Sequence, residues 1–481
     1  MIPGPLYHFD RAVGESLERS LRRHHRRRLR RIGWGHAFDA RETWASGGTP
    51  PRGGNTLEVL VDGEASFGAM SEAMAAASDH VHIAGWHMEP DFRLGEGAEH
   101  PTLEEALAAA ARRADVRVLL WAGAPLPPPF RPRRAEAKTT AEALRRTGAR
   151  VGLDSKERLL HCHHEKIVVV DGKLAFVGGF DFSTLGASRL DASHHPPRDP
   201  MGWHDATVRI EGPLVADVAD HFALRWGETT GERLAPLPPP EPSGRIEAQI
   251  VRTVPENVYD GLPRGDFRIL ESYVGALRGA RRLVYLENQF LWSSEIVKLL
   301  AGKLADPPDD DFRLVVVLPS KPTTGADDTL GQLAVLAEAD GENGRFIACA
   351  LYGREGERSA PVYVHAKIGI VDDRWMSIGS GNLNNHSLFN DSEMNVVTHD
   401  PDLARSTRLR LWSEHLEQPI SALASRRPVE IIDEVWVPTA VEQLRRREGD
   451  MPLTHRLVRL PHVSKRSKRL LGPLQTFLVD G

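Results

Sequence analysis

Apolar residues in this chain follow two rhythms. Short Val-, Ile- and Leu-rich runs of strand length alternate with longer Ala- and Leu-rich stretches of helical length. In the first half, Leu57–Val61, Val81–Ala84, Val116–Trp121 and Ile167–Val170 predict strands, and Phe67–Ala77, Leu103–Ala114 and Thr139–Thr147 predict helices. A Pro-rich break follows at Ala235–Ser243, and such a tract favours neither helix nor strand. The order then repeats: a helix at Ile269–Leu277, strands at Leu283–Glu287, Leu314–Leu318 and Phe346–Leu351, and a hairpin over Ile368–Ile378. The first half has a matching hairpin, Ile167–Val170 turning at Asp171-Gly172 into Leu174–Val177, a dipeptide suited to a tight turn. The period is too long for a solenoid. It predicts an internal duplication, with two α/β lobes that are each a mixed sheet flanked by helices. The expected units are 1–55 (basic arm and connector), 56–240 (first lobe) and 241–481 (second lobe with a C-terminal extension).

Composition narrows the class. The 481 residues, 41% hydrophobic and 26% charged, fit a soluble protein with a large core. A net charge of −5 excludes a globally basic nucleic-acid binder but allows a local basic patch. Two cysteines, Cys162 and Cys349, make no disulfide framework and have no zinc-site spacing. No stretch is apolar for long enough to span a bilayer, and Met1–Arg11 lacks a signal-peptide pattern. A cytoplasmic protein is expected. The first fifty residues stand apart: Arg22–Arg31 reads RRHHRRRLRR and Ser46–Asn55 is rich in Gly and Pro, predicting an arm on a flexible connector. That run, and Ser464–Arg469 near the other end, suit peripheral contact with an anionic membrane. The loops Pro125–Arg134 and Pro322–Asp328 follow strands, where α/β folds build their clefts.

The chemistry is carried by a repeated constellation. His164-Glu-Lys166 is followed after four residues by Asp171, and His365-Ala-Lys367 after four residues by Asp372. Each copy leads at the same offset into a small-residue turn, Gly178-Gly179-Phe180-Asp181 in one case and Gly379-Ser380-Gly381-Asn382 in the other. With ten lysines in the chain, one such match is an uncommon accident and two in register are far rarer. On a strand, a His and a Lys two apart point to the same face. One imidazole can attack phosphorus while a second protonates the leaving oxygen. Lys166, Lys367 and the Asn382 amide can hold the non-bridging phosphate oxygens. Two-step displacement through a phosphohistidine is the covalent logic this pattern supports, with no metal or cofactor required.

These motifs resemble the signature of the phospholipase D superfamily, and the likeness runs from about Leu57 to about Leu416. The resemblance implies that both copies meet in one active site at the lobe interface, with His164 as nucleophile and His365 as acid. It implies an orienting carboxylate for each catalytic His: Glu393 in the second half, and Asp205 of Trp203-His204-Asp205 in the first. Asp171 and Asp372 complete the signature, although their place at hairpin turns suits a backbone role. Asn382, Ser380, Gly179, Asp181 and Asn288 form the implied phosphate- and substrate-binding set, with Asp181 ranked behind Asn382 because it suits a turn cap, and with cleft lining and structural hydrogen bonding equally open for Glu287 and Asn288. Ile83-Ala-Gly-Trp86, Tyr285-Leu-Glu-Asn-Gln289, Arg189-Leu-Asp191 and Leu411-Trp-Ser-Glu-His415 are similar to true phospholipases D. Trp86, Trp203 and Trp412 are read as core or cleft-wall packing. The implied activity is phospholipase D hydrolysis or phosphatidyl transfer on glycerophospholipids, with water or an alcohol as acceptor. A cardiolipin synthase ranks next, because members of that type usually carry N-terminal membrane-spanning segments. A nuclease ranks lower, because nucleases of the superfamily are often single-motif chains that dimerise. Nucleic acid is therefore not the expected partner, and with both motifs in one chain a monomer suffices.

Overall fold

The computed structural model describes residues 5–125, 132–158, 161–184, 190–191, 194–199, 201–320, 326–341 and 343–461, with backbone alone for 5–15 and 326–328. The Ser464–Arg469 run, Arg189 and most of both cleft-loop segments lie outside the described residues.

The first half supplies β1 (Arg52–Val61), β2 (His80–Gly85), β3 (Asp115–Trp121), β4 (Arg150–Asp154), β5 (Lys166–Val170), β6 (Leu174–Gly178), β7 (Trp203–His204) and β8 (Ala206–Glu211). The second supplies β9 (Ile246–Val254), β10 (Asp266–Phe267), β11 (Leu283–Asn288), β12 (Arg313–Val317), β13 (Phe346–Glu355), β14 (Arg358–Pro361), β15 (Tyr363–Val364), β16 (Lys367–Val371), β17 (Trp375–Gly379), β18 (Glu393–Thr398) and β19 (Leu457–Arg459). The pairing order β4-β3-β2-β5-β6-β8-β1 in the first half is matched by β13-β12-β11-β16-β17-β18-β9 in the second. Each sheet is mixed, parallel over its first three strands and antiparallel beyond. The start of β1 also pairs with β9 and joins the two.

Helices pack against the sheets: α1 (Pro5–Arg31), α2 (Asp62–Ala76), α3 (Leu103–Ala111), α4 (Arg134–Arg146), α5 (Val215–Thr230), α6 (Arg268–Gly279), α7 (Ser294–Ala305), α8 (Ala326–Asp340), α9 (Asn385–Phe389) and α10 (Pro401–Leu416). Three apolar clusters result. One packs α2, α3 and α4 on the first sheet, and another packs α6, α7 and α8 on the second. The third lies between the sheets and joins Val177 and Val208 to Met376 and Val396, with α5 and α10 filling the rest. Central strands buried on both faces read as unbroken apolar runs, which is why they were visible in the sequence.

The N-terminal segment differs from the expected arm. Arg28 of α1 donates to Glu256 at 2.8–2.9 Å and to the Phe389 carbonyl at 2.8 Å, while Arg26 donates to Glu295 at 2.7–2.8 Å. Local composition shows a run of like charge, but the neutralising acids stand more than 200 residues away. The connector likewise enters β1 at Arg52.

Asp171 and Asp372 sit at the hairpin turns with left-handed φ values of 53° and 54°. Asp171 accepts from the backbone N–H groups of Ser78, Asp79 and His80, and Asp372 from those of Arg281, Arg282 and Leu283. Each therefore locks the N-terminal end of the neighbouring strand at the opposite end of its hairpin from the His. Replacing Asp372 with Ala strips three donors of a charged acceptor. The expected loss is about 2–3 kcal/mol of unfolding free energy, read as a lower urea midpoint at unchanged slope.

Candidate active site

His164 and His365 lie just before the first residues of β5 and β16, so each imidazole and the Lys two residues later leave the same end of a sheet. The carboxylates cross between the halves. His164 Nδ1 lies 3.0 Å from Glu393 at the start of β18, and His365 Nδ1 lies 2.5 Å from Asp205, just ahead of β8. A reading of each half by itself pairs each acid with its own motif, whereas the structure exchanges them. Backbone bonds follow the same crossing. His164 N donates to Ser392 O at 2.9 Å and His365 N to His204 O at 2.8 Å, while β15 runs parallel to β7. All four side chains of the two pairs are buried, and each carboxylate meets Nδ1 of its imidazole, an arrangement that fixes ring orientation and tautomer.

The small-residue turns serve these acids. A Cβ on Gly179 would stand 2.3 Å from the Asp205 carboxylate, so this position must be glycine for Asp205 to occupy its place. Its counterpart Ser380 donates its hydroxyl to Glu393 at 2.5 Å, and Ser387 donates to the other Glu393 oxygen at 2.6 Å. Neither Gly179 nor Ser380 is placed as a phosphate ligand. Of the two readings open for Asn288 the structure favours the structural one: its Oδ1 accepts from Phe290 N and Leu383 N, which makes it a backbone brace. The next residue, Gln289, carries an amide into the site, where its Oε1 accepts from Lys367 Nζ at 3.2 Å and from Asn382 Nδ2 at 3.3 Å.

The two lysines meet different surroundings. Lys166 Nζ is 3.4 Å from Asp181 Oδ2 and 5.9 Å from the Trp86 ring centre. Asp181 also accepts from Trp86 N and His87 N, the turn-capping role its position suggested. Lys367 faces the neutral amides of Gln289 and Asn382. Both ammonium groups also reach the carbonyl of the preceding catalytic His. The indole of Trp203 lies 4.4 Å from the His365 ring, and that of Trp86 lies 6.1 Å from the His164 ring. Trp412 is in the core between the sheets.

Two buried polar networks went unseen in the sequence. Glu165, between His164 and Lys166, turns to the opposite face and meets Arg225 and His221, and Arg225 continues to Asp154 at 2.9 Å. Burial opposes ionisation of Glu165, but Arg225 and His221 more than offset it. His163 and Arg225 do the same for Asp154, so both carboxyls sit well below the usual range. The second network lies behind Asp205. His204 stands between Asp62 at 2.9 Å and Glu287 at 2.7 Å, and Glu287 reaches His415 at 2.9 Å. Burial would lower the His204 pKa, yet Asp62 and Glu287 raise it well above the ordinary value. His195 Nε2 adds contacts of 3.1 Å to Asp62 and to Glu414 and 3.3 Å to His204 Nδ1. Asp62, His195, His204 and Glu414 thus converge four ligand atoms and could hold a divalent cation, although the motif chemistry requires none. Asp62 keeps a positive φ of 68° there, the kind of strained placement found at functional clusters.

The chain is similar to several known proteins. Residues 332–413, which contain the second motif, match the family model described as cardiolipin synthase, PLD-like domain. The chain is 25% identical over 464 residues to phospholipase D A of Dictyostelium discoideum, covering 76% of this chain and 36% of that protein. It is 27% identical over 408 residues to cardiolipin synthase A of Pseudomonas aeruginosa, covering 82% of this chain and 73% of the relative. The phosphatidylserine synthase of Haemophilus influenzae Rd KW20 shares the fold, with a TM-score of 0.52 at 13% identity over 82% of this chain and 93% of that one. The class defined is thus an α/β fold with a repeated His-x-Lys motif. In its fold and in its repeated motif the chain is similar to members of the phospholipase D superfamily.

Replacing Asp205 or Glu393 with the isosteric amide removes the acceptor that fixes the imidazole tautomer. Turnover on the cleaved phosphodiester is expected to fall about 10³-fold with an unchanged circular dichroism spectrum. Arg225→Met is expected to cost about 3–5 kcal/mol at pH 7, because Asp154 and Glu165 stay buried without their cation. The depressed carboxyls contribute stability above the usual carboxylate range that is lost as pH falls through the folded values. Acid unfolding curves of Arg225→Met should accordingly be flatter with pH than those of the parent.

Proposed function

We propose that this chain is a phosphodiesterase of the phospholipase D type, acting on glycerophospholipids through a phosphohistidine on His164. The observation that carries this reading is the crossed pair, His164 with Glu393 and His365 with Asp205, each ring held at Nδ1 by a carboxylate. His164 Nε2 attacks phosphorus to form a P–N bond while the P–O bond to the headgroup breaks. His365, as imidazolium beside Asp205, gives its Nε2 proton to the leaving oxygen. Neutral His365 then takes a proton from water or an alcohol, whose oxygen displaces His164 and restores the free enzyme. Lys166, Lys367 and Asn382 hold the non-bridging oxygens, and Gln289 positions the latter two. Hydrolysis and phosphatidyl transfer share the intermediate and differ only in the acceptor.

Contact with an anionic membrane is part of the proposal. Arg26 and Arg28 are spent on internal ion pairs, while Arg23, Arg27, Arg30 and Arg31 are exposed along α1. Among the described residues no helix is long and apolar enough to cross a membrane, so any association of this part of the chain would be peripheral. Each cation near an anionic surface is worth about 1 kcal/mol, so Arg23→Ser with Arg27→Ser should weaken partition onto anionic vesicles about 30-fold. Sedimentation with neutral and anionic vesicles measures this, and unchanged binding removes α1 from the account.

The activity test incubates the protein with mixed phospholipid vesicles and a short primary alcohol, with and without chelator, beside a DNA substrate. Phosphatidate or phosphatidyl-alcohol that disappears in His164→Ala and His365→Ala supports the proposal. A cardiolipin product from phosphatidylglycerol assigns the transfer branch. Cut DNA without lipid product moves the function to a nuclease.

A further inference from the structure

A histidine cluster on the far side of the nucleophile from Lys166 is used by none of the chemistry above. His161, two residues before His163, turns its Nδ1 to 3.2 Å from Nδ1 of His386 in α9 and to 3.5 Å from Asp391 Oδ1. His386 Nδ1 is 3.9 Å from Asp391 Oδ2, and the three residues bring one ligand atom each to a common point. Two imidazole nitrogens facing each other this closely can share only one proton. Asp391 Oδ2 is buried and lacks a hydrogen-bond partner, although the other oxygen accepts from Cys162 N at 2.9 Å. In a tetrahedral site with ligand bonds of about 2.0–2.1 Å, neighbouring ligand atoms stand about 3.3 Å apart, close to the spacings seen here.

We propose that His161, His386 and Asp391 form a binding site for a zinc-type divalent cation, with three protein ligands and one open coordination position. The donor set, two imidazoles and a carboxylate, is of the borderline kind that late first-row divalent ions prefer. His161 retains 18% side-chain exposure, which gives an entry path. The rest of the wall is closed: His386 packs against Trp292, and α1 covers the cluster with His25, stacked 4.3 Å from Phe389 and buried with its Nδ1 unpartnered.

The position gives the cation a consequence. It would bind the chain just ahead of His164 to the segment just ahead of Glu393, across the same backbone ladder in which Ser392 N donates to Cys162 O and His164 N to Ser392 O. A bound ion would therefore fix the register of the nucleophile against its orienting acid without touching the reacting atoms.

The test uses the full chain, stripped by chelator and dialysed, and compares it with His161→Ala and His386→Ala. Calorimetric titration with Zn²⁺ should show one equivalent in the parent that is absent from both variants, leaving any binding at Asp62, His195, His204 and Glu414 unchanged. Titration with Co²⁺ should give the intense visible bands of a four-coordinate ion in the parent, and these should lose intensity in the variants. Equal Zn²⁺ stoichiometry and equal Co²⁺ spectra in parent and variants would overturn the proposal. If His386→Ala does not fold, the partly exposed His161→Ala carries the test alone: Zn²⁺ affinity at this site falls at least tenfold, or the site is not one.

Discussion

The structure turns on an exchange. The imidazole of each His-x-Lys motif is held by a carboxylate from the other half, so neither half possesses a complete His–carboxylate pair. A buried ion or imidazole left without its partner is costly, which ties the docking of the two sheets to the correctness of the site. The apolar cluster between the sheets supplies the burial and the crossed pairs supply the register. Gly179, open enough for Asp205, and Ser380, donating to Glu393, show how two matching turns serve one acid each by different means.

The two halves are similar but not equal. Lys166 shares its surroundings with Asp181, whereas Lys367 sits among amides. Beneath the first motif Glu165 ties the strand to Arg225, while the same position in the second is Ala366, buried in the apolar cluster. The acid network of His204, Asp62 and Glu287 adjoins Asp205 and so sits behind His365. These asymmetries fit the proposal that one histidine attacks and the other exchanges protons.

Much of this was legible in the sequence, for physical reasons. Strands buried on both faces must be apolar throughout, so β2, β3, β5 and β11 announced themselves, and the turn residues Asp171-Gly172 marked a hairpin that has to reverse tightly. The His-x-Lys spacing was readable because a strand puts those two side chains on one face. What could not be read depends on distant partners. The Arg22–Arg31 run looks like a solvated arm until Glu256 and Glu295 are in place. Asn288 and Gln289 are adjacent amides, and only the end of β11 decides which one braces backbone and which one reaches Lys367. The crossing of Asp205 and Glu393 is a property of how the sheets dock, and no local pattern encodes it.

The most direct test of the account is to trap the covalent intermediate. A phosphatidyl ester of p-nitrophenol needs no protonated leaving group, so with His365→Ala the first step should proceed while the second lacks its base. Quenched in alkali and digested, the protein should carry a phosphatidyl mass on the peptide containing His164. An adduct on another residue, or release of nitrophenol with no adduct in either the parent or the variant, would contradict the assignment of His164 as nucleophile.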